Sequence, residues 1–305
     1  MCGTVTETKI NEYKRKWELA LLLPGKEDLI SSAIAELKLY FPTLNEQDVL
    51  RMFQKSEELF ADQWKQAQID TRSEKKLIDF YNQSEIEIFE LMHYHSMGWN
   101  DGPLNYVCAL ELAKECGFKT FMDYGSGVGS GGLIFARAAF DVILCDIASP
   151  LLEFAKWRFA KRGLDATFVD LKKSEPDGVA DVITCFEVLE HVPDPIKVLR
   201  KLRTWLRTGG LLIVTAPFFK DELRPMHIVH DTKLINKFRA QGFAIRWDLY
   251  KNISKIVHGP FFILEKVHRN WLTNILIGAY DSYIPEKLRS RIYRMFARLK
   301  RLICG

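Results

Sequence analysis

Apolar residues in the first 117 positions recur three and four apart, which is the spacing of an α-helix with one buried face. The pattern predicts four helices, in chain order Leu29–Tyr40, Asn45–Trp64, Ser73–His95 and Leu104–Cys116. Asn45 belongs to the residue types that cap a helix at its N-terminal end. Glycine and proline at positions 98, 102 and 103 separate the last two helices. We therefore expect a helical region over residues 1–117.

From Lys119 onward, short apolar runs alternate with helical patterns. The runs predict strands at Thr120–Tyr124, Asp141–Cys145, Ala166–Val169, Asp181–Phe186 and Leu211–Thr215. Helical patterns fill the intervals, as in Leu151–Lys161 and Pro195–Leu206. This alternation is typical of a parallel sheet that carries helices on both faces.

Two more strands are predicted at about Phe243–Tyr250 and Pro260–Val267, after a helix at Thr232–Gln241. No helical pattern lies between these two strands, so we expect an antiparallel hairpin at the sheet edge. Together with the preceding units, the hairpin completes an α/β domain over residues 118–268.

The remaining segment, residues 269–305, reads differently. Between Pro285 and Gly305 there are seven Lys or Arg residues and one acid, Glu286, and apolar residues recur there at helical spacing. This predicts a basic amphipathic C-terminal helix. Such a helix can contact an anionic membrane surface or a nucleic acid, or it can pack on the N-terminal helices or in a homodimer. We favour the packing interpretation.

The amino acid composition limits the class of protein and its partners but does not identify a function. Apolar residues make up 48% and charged residues 27% of the 305 residues, as in ordinary globular proteins. The net charge of +4 is too small to indicate a nucleic-acid partner. The six cysteines show no C-x-x-C spacing, and neither a signal peptide nor a spanning apolar run is evident. These features predict a cytoplasmic protein.

A glycine-rich turn follows the first predicted strand. Gly125, Gly127 and Gly129 allow the backbone to approach a ligand closely and to reach positive φ. The next strand ends in Asp146, about 20 residues later, where a carboxylate can accept hydrogen bonds from ribose hydroxyls. A dinucleotide enzyme has the same two features, and a tight turn without any ligand is the structural alternative.

Two further features change the picture. Asp123 ends the first strand, and its charge suits a cationic amino acid group but opposes an anionic pyrophosphate. The segment Asp181–Pro195 closes the fourth strand and contains Glu187, Glu190 and His191. With the glycine turn, Asp146 and the segment Leu206–Val214, these motifs resemble class I S-adenosylmethionine-dependent methyltransferases over about half of the chain.

The resemblance implies a Rossmann-like α/β fold with seven strands, mostly parallel and one antiparallel, and it implies S-adenosylmethionine as cofactor. By position it assigns the amino acid end of the cofactor to Asp123, Gly125, Gly127 and Gly129. It also assigns the ribose to Asp146, adenine to Ile147 and Asp170, and the site floor to Phe186 and Glu187. For Asp170, a helix N-cap before Leu171 is an equal alternative.

The Glu187–His191 segment offers two carboxylates and an imidazole, which suit a divalent metal ion. It resembles the metal-binding segment of ubiquinone-pathway O-methyltransferases and of small-RNA 2′-O-methyltransferases. In the RNA enzymes a later histidine adds a fourth ligand, and His227 stands at about that place. The predicted metal set is Glu187, Glu190, His191 and His227. Metal-free relatives carry a similar segment in ordinary packing, so this alternative stays open.

Other histidines have two interpretations each. His227 can take a proton from an acceptor hydroxyl near pH 7, whereas His230 more simply begins the following helix. Tyr94 and His95 end the third predicted helix, where they either contact the methyl acceptor or merely close the helix. The candidate catalytic residues are therefore His227, Glu187, His95 and Tyr94.

We expect methyl transfer to a small-molecule acceptor, most simply at oxygen. The alternatives are a metal-dependent RNA 2′-O-methyltransferase, a non-catalytic cofactor-binding scaffold and a nicotinamide-dependent oxidoreductase. Residues 1–117 lack the interleaved basic and aromatic residues of an RNA platform, which argues against a nucleic-acid substrate.

Overall fold

The structure is a computed structural model that describes residues 2–98, 102–218, 224–231, 234–257, 259–269 and 271–283. Its first part is helical: α1 (Cys2–Leu21), α2 (Leu29–Tyr40), α3 (Glu46–Gln54), α4 (Ser56–Ala67), α5 (Glu74–Gln83), α6 (Ile86–Ser96) and α7 (Leu104–Glu115). Asn45 caps α3 as predicted, since its Oδ1 accepts from the Asp48 amide at 2.9 Å. The predicted basic helix between Pro285 and Gly305 lies outside the described residues.

The second and third predicted helices are wrong in one respect, because each is broken into two. The second corresponds to α3 and α4, and the third corresponds to α5 and α6. The first break follows Gln54, where the Ser56 hydroxyl donates to the Phe53 carbonyl at 3.0 Å. The second break contains the buried Ser84, whose hydroxyl donates to Gln63 at 2.7 Å. Serine hydroxyls that bond locally or across helices compete with the helical pattern, and apolar spacing does not report them.

A seven-stranded sheet follows, in the order β3-β2-β1-β4-β5-β7-β6. The strands are β1 (Thr120–Tyr124), β2 (Asp141–Asp146), β3 (Thr167–Asp170), β4 (Ala180–Phe186), β5 (Leu206–Thr215), β6 (Phe243–Ile245) and β7 (Phe261–Lys266). Strands β1 to β5 pair in parallel, whereas β7 is antiparallel to both β5 and β6. The predicted Rossmann-like α/β sheet with one antiparallel strand is confirmed.

Helices cover both faces of this sheet: α8 (Ser130–Arg137), α9 (Ser149–Lys161), α10 (Pro195–Trp205), α11 (Leu234–Ala240), α12 (Trp247–Ile253) and α13 (Trp271–Tyr283). Phe121 and Met122 are neighbours in β1 but belong to different cores. Phe121 packs with α7, α8 and α9, and Met122 packs with α10 and α11. Within the described residues, no helix is long and apolar enough to cross a membrane.

The predicted direct hairpin between the last two strands is wrong. Strand β6 has only three residues, and α12 lies between β6 and β7. Arg246 marks the change, because its guanidinium binds Asp248 of α12 at 2.6 Å and Glu265 of β7 at 2.8 Å. These ion pairs stabilise a turn into a helix at a point where the apolar pattern alone favoured a longer strand.

A buried ion cluster joins the N-terminal helices to the sheet domain. The Glu36 carboxylate on α2 binds Arg158 on α9 at 2.8 Å and Arg162 at 2.7 Å. The Arg158 guanidinium also donates to the Val128 carbonyl and the Ser130 hydroxyl, both at 2.8 Å. Burial alone would raise the pKa of Glu36, but the two arginines offset burial and hold that pKa below its usual range.

We predict that Glu36→Gln destabilises the protein by about 3–5 kcal/mol, because two buried guanidinium groups lose their counter-charge. Urea denaturation followed by circular dichroism measures the change. The control is Asp70→Asn, which removes an exposed ion pair with Arg72 and should leave the denaturation midpoint unchanged. Equal midpoints for Glu36→Gln and the unaltered protein would contradict the prediction.

Candidate active site

A cavity of about 720 Å³ lies between the carboxyl ends of the central strands and the helices α4, α5 and α6. Its lining on the strand side includes Gly125, Ser126, Gly127, Asp146, Ile147, Phe186, Glu187 and Thr215. On the helix side it includes Glu57, Tyr81, Glu87, Glu90, Leu91, Tyr94 and His95. Crevices at the carboxyl ends of parallel strands are the usual ligand sites of such sheets.

The glycine turn forms part of the cavity wall. Gly125 and Gly127 have φ angles of +76° and +51°, which side chains rarely adopt. A Cβ atom at Gly125 would lie 2.3 Å from Val188 Cγ2, and one at Gly127 would lie 2.7 Å from Leu91 Cδ1. Glycine is therefore required at both positions. Gly129 has a similar φ of +75° but lies against α9, outside the cavity lining.

Asp146, at the end of β2, lines the cavity and is 6% exposed. Its Oδ2 accepts from the Gly127 amide at 2.8 Å, and its Oδ1 accepts from the Ala148 amide at 2.9 Å. The carboxylate thus fixes the glycine turn while keeping further lone pairs for a ligand. Burial raises the pKa of Asp146 despite these hydrogen bonds.

Asp123 is fully buried beneath the cavity and is not among its lining residues. Its Oδ1 accepts from the Thr184 hydroxyl at 2.7 Å and from the Tyr106 hydroxyl at 3.4 Å. Oδ2 has no hydrogen-bond partner in the described parts of the chain. Burial raises the pKa of Asp123 to about 7. Its predicted contact with the amino acid end of the cofactor stays a prediction.

Of the residues predicted to lie at adenine or at the floor of the site, some line the cavity and one does not. Ile147 and Phe186 line the cavity, but Asp170 does not. Asp170 accepts from Ser149 at 2.8 Å and pairs with Lys172 at 3.0 Å. Burial would raise its pKa, but these hydrogen bonds lower it to about 2. The N-cap alternative is wrong, because a hydrogen-bonded turn rather than a helix follows Asp170.

The segment after β4 brings several candidate residues together. Glu187 has a φ of +54° and lines the cavity. A short 3-10 helix, Leu189–His191, then places Glu190 and His191 beside His227. Ligand atoms of these three residues lie within 4.8 Å of one another. Glu187 lies outside this group of three, so the structure gathers three of the four predicted metal ligands.

The environment of this group is buried and poor in hydrogen-bond donors. Glu190 is fully buried, and its carboxylate oxygens accept from no N–H or hydroxyl donor of the described residues, while the Glu187 carboxyl group lies within hydrogen-bonding reach. Burial, followed by repulsion from Glu187, raises the pKa of Glu190 well above its usual value. Burial lowers the pKa of His191 to about 3, and its Nδ1 lies 2.9 Å from the Tyr81 hydroxyl. A carboxylate in such a place needs a proton or a cation.

Of the other predicted residues, Tyr94 and His95 line the cavity from α6. Burial lowers the pKa of His95 to about 3, so its imidazole is neutral near pH 7. His227 also lines the cavity, whereas His230 does not. The His230 ring lies 3.1 Å from the Val192 carbonyl and packs on Phe218, and its expected place at the start of the following helix stays a prediction.

Several cavity residues escaped the sequence analysis, among them Glu87, Glu90 and Arg224. Glu87 and Glu90 lie on α6, and an acid on an amphipathic helix is assigned to solvent unless the packing of the helix is known. Arg224 lies 5.7 Å from the centre of the Tyr94 ring and 3.9 Å from the Glu57 carboxylate. Arg224 stands three residues before His227, and this spacing could have indicated that both residues lie at the same site.

Comparison with known proteins matches residues 104–250 to a family described as a methyltransferase domain. This segment runs from α7 through strands β1 to β6 into α12, and it includes the glycine turn, Asp146 and the Glu187–His191 segment. Residues 104–250 therefore form a methyltransferase domain, on the sheet architecture of the class I S-adenosylmethionine-dependent methyltransferases. S-adenosylmethionine is the cofactor of this class.

The similarity to curated proteins extends over only part of this chain. It is 34% identical over 111 residues to the ubiquinone biosynthesis O-methyltransferase of Vibrio parahaemolyticus, a match that covers 35% of this chain and 46% of the relative. The enzyme of the same name from Xanthomonas euvesicatoria is 28% identical over 148 residues, with 44% and 61% covered. The chain thus spans about half the length of the curated relatives that it matches.

Solved structures resemble this methyltransferase more distantly. The magnesium protoporphyrin IX methyltransferase of Synechocystis, solved with bound S-adenosylhomocysteine, is 18% identical with a TM-score of 0.48. The match covers 65% of this chain and 100% of that chain. A TM-score below 0.5 identifies neither a substrate nor a mechanism.

We predict that Asp146→Ala weakens S-adenosylhomocysteine binding to this methyltransferase by about 1–3 kcal/mol, because charged hydrogen bonds are lost. Isothermal titration calorimetry measures the affinity. Asp141→Ala, at the exposed opposite end of the same strand, is the matched control and should bind normally. Unchanged affinity in Asp146→Ala would show that the ribose assignment is wrong.

Proposed function

We propose that this chain transfers the methyl group of S-adenosylmethionine to an oxygen atom of a small-molecule acceptor. The observation that carries the proposal is the shared cavity, which Gly127 and Asp146 line together with Glu187 and His227. A volume of about 720 Å³ is of the size that holds a cofactor with a small acceptor. When bound, S-adenosylmethionine supplies an electrophilic methyl group on a positively charged sulfur.

The chain's own residues then align the acceptor and receive its proton. His227 accepts the hydroxyl proton in the metal-free form of the mechanism, while neutral His95 and Tyr94 contact the acceptor from α6. Phe186 and the apolar part of the wall exclude water. An imidazole base suits a phenolic hydroxyl, because the pKa of a phenol is only about 10. The residues 1–117 thereby serve as a lid and acceptor-binding region over the domain of residues 118–268.

The charge of the cavity supports a small acceptor over RNA. Among its lining residues in the described chain, seven are acidic and two are basic, Lys197 and Arg224. A phosphodiester backbone would be repelled by such a surface. The same excess of acids suits a cationic cofactor.

We also propose a divalent metal ion held by Glu190, His191 and His227. The buried carboxylate of Glu190, which has no N–H or hydroxyl donor among the described residues, lies beside two imidazoles and fits an ion such as Mn²⁺ or Zn²⁺. The ion would supply Lewis acidity that lowers the pKa of a nearby acceptor hydroxyl. His227 cannot be a metal ligand and a general base at the same nitrogen, so these two mechanisms exclude each other.

Contact of residues 285–305 with a membrane surface or with a second copy of the chain stays a proposal, as does a cytoplasmic location. Leu272 and Leu276 on α13 are exposed just before this segment. They are compatible with either partner.

For the activity, we predict that the protein converts S-adenosylmethionine and 3,4-dihydroxybenzoate into equal amounts of S-adenosylhomocysteine and a methyl ether. Mass spectrometry of both products measures the reaction. His227→Ala should lower kcat by about 10²–10⁴-fold, because a positioned proton acceptor or a metal ligand is lost. His230→Ala, on the same segment but outside the cavity lining, should retain activity. Methylation of amines but of no hydroxyl compound would contradict the proposal.

For the metal, we predict that the protein binds Mn²⁺ and that Glu190→Gln weakens this binding by at least about tenfold, because an anionic ligand is lost. Electron paramagnetic resonance of free Mn²⁺ measures the affinity without any turnover. His230→Ala again serves as the control. Absence of Mn²⁺ binding together with full activity in excess chelator would contradict the metal proposal. Only the general-base mechanism would then remain.

A further inference from the structure

We propose that Glu87, on helix α6, is a cofactor-binding residue that hydrogen-bonds the ribose hydroxyls of S-adenosylmethionine. The inference rests on the proposed function, since it requires this cofactor in the cavity. It adds a residue from the N-terminal helices to a site that otherwise consists of loops at the strand ends.

The first step is the position of α6. A Cβ atom at Gly127 would lie 2.7 Å from Leu91 Cδ1, so this part of α6 lies directly over the glycine turn. Glu87 precedes Leu91 by four residues and therefore projects from the same helix face. Both residues line the cavity together with Gly125 and Asp146.

The second step is the state of the carboxyl group. Oε2 of Glu87 is shielded from solvent and has no hydrogen-bond partner among the described residues. Burial, followed by the negative charge of Asp146, raises the pKa of Glu87 well above its usual value. An orphaned acceptor next to a cavity is unfavourable unless a ligand supplies a donor.

The third step identifies the part of the ligand. Leu91, one helical turn after Glu87, lies against Gly127, and the Gly127 amide donates to Asp146 at 2.8 Å, so this face of α6 lies on the Asp146 side of the cavity. Asp146 is the predicted ribose acid, and both its oxygens already accept a backbone amide. A ribose presents two hydroxyl donors, so a second carboxyl group beside Asp146 supplies the acceptors that complete its recognition. Glu87 also lies outside the group of potential metal ligands.

The test compares S-adenosylhomocysteine with 5′-methylthioadenosine, which keeps the ribose and lacks the amino acid group. Isothermal titration calorimetry on the full chain gives both affinities. Glu87→Ala should weaken both ligands by about tenfold, and the near-isosteric Glu87→Gln by about threefold, because one or more hydrogen bonds are lost. Glu85→Gln removes the same charge from the exposed start of α6 and should change neither affinity.

Unchanged affinities in Glu87→Gln and Glu87→Ala would overturn the inference. Weakening of S-adenosylhomocysteine alone would also overturn it, because Glu87 would then contact the amino acid end. Thermal unfolding shows whether each variant is folded, and Glu87→Gln decides the matter if Glu87→Ala is not. Failure of the unaltered protein to bind either ligand would instead contradict the proposed function itself.

Discussion

The buried guanidinium group of Arg158 is the contact on which the arrangement of this protein depends. It joins Glu36 of the N-terminal helices to the Val128 carbonyl in the glycine turn and to the Ser130 hydroxyl at the start of α8. A buried ion pair adds little net stability, since desolvation offsets most of the attraction, but an imperfect pair leaves an uncompensated charge. We therefore infer that the Glu36–Arg158 pair selects one docking position of the N-terminal helices. That position also sets how α4, α5 and α6 face the strand ends across the cavity.

Desolvation governs the chemistry inside this cavity. Burial raises the pKa values of Glu87, Glu90, Asp123 and Asp146, with that of Glu90 reaching about 7. Carboxyl groups in such surroundings are either protonated or need a nearby positive charge to stabilise the ionised form. Under the proposed function, a bound sulfonium cofactor would supply that charge and would favour the ionised forms of these groups. The acidic lining is thus a feature of cofactor binding more than of acceptor choice.

Local signals explain what could be predicted from the sequence. Strand β1 has the predicted bounds, Thr120–Tyr124, because a short apolar run between a glycine and a glycine turn allows few alternatives. Gly125, Gly127 and Asp146 were found because their chemistry is tied to a fixed place in a βαβ unit. The break at Ser84 and the helix α12 were missed because each depends on a partner distant in sequence, Gln63 for the first and Glu265 for the second. The serine and lysine partners of Asp170 could not be predicted from the sequence either, because Ser149 is 21 residues away and nothing in the local pattern indicates the contact.

Helix α6 links the two halves of the reaction. Its residues Glu87, Leu91, Tyr94 and His95 all line the cavity, and at 1.5 Å per residue they extend along about 12 Å of helix. The first two lie over the glycine turn, and Tyr94 lies beside Arg224, which comes from the segment after β5. One rigid helix therefore faces both the cofactor end and the end where the candidate proton acceptors lie. Under the proposed function, acceptor specificity therefore lies mainly with the helices and methyl-donor binding mainly with the strand ends, with α6 contributing to both.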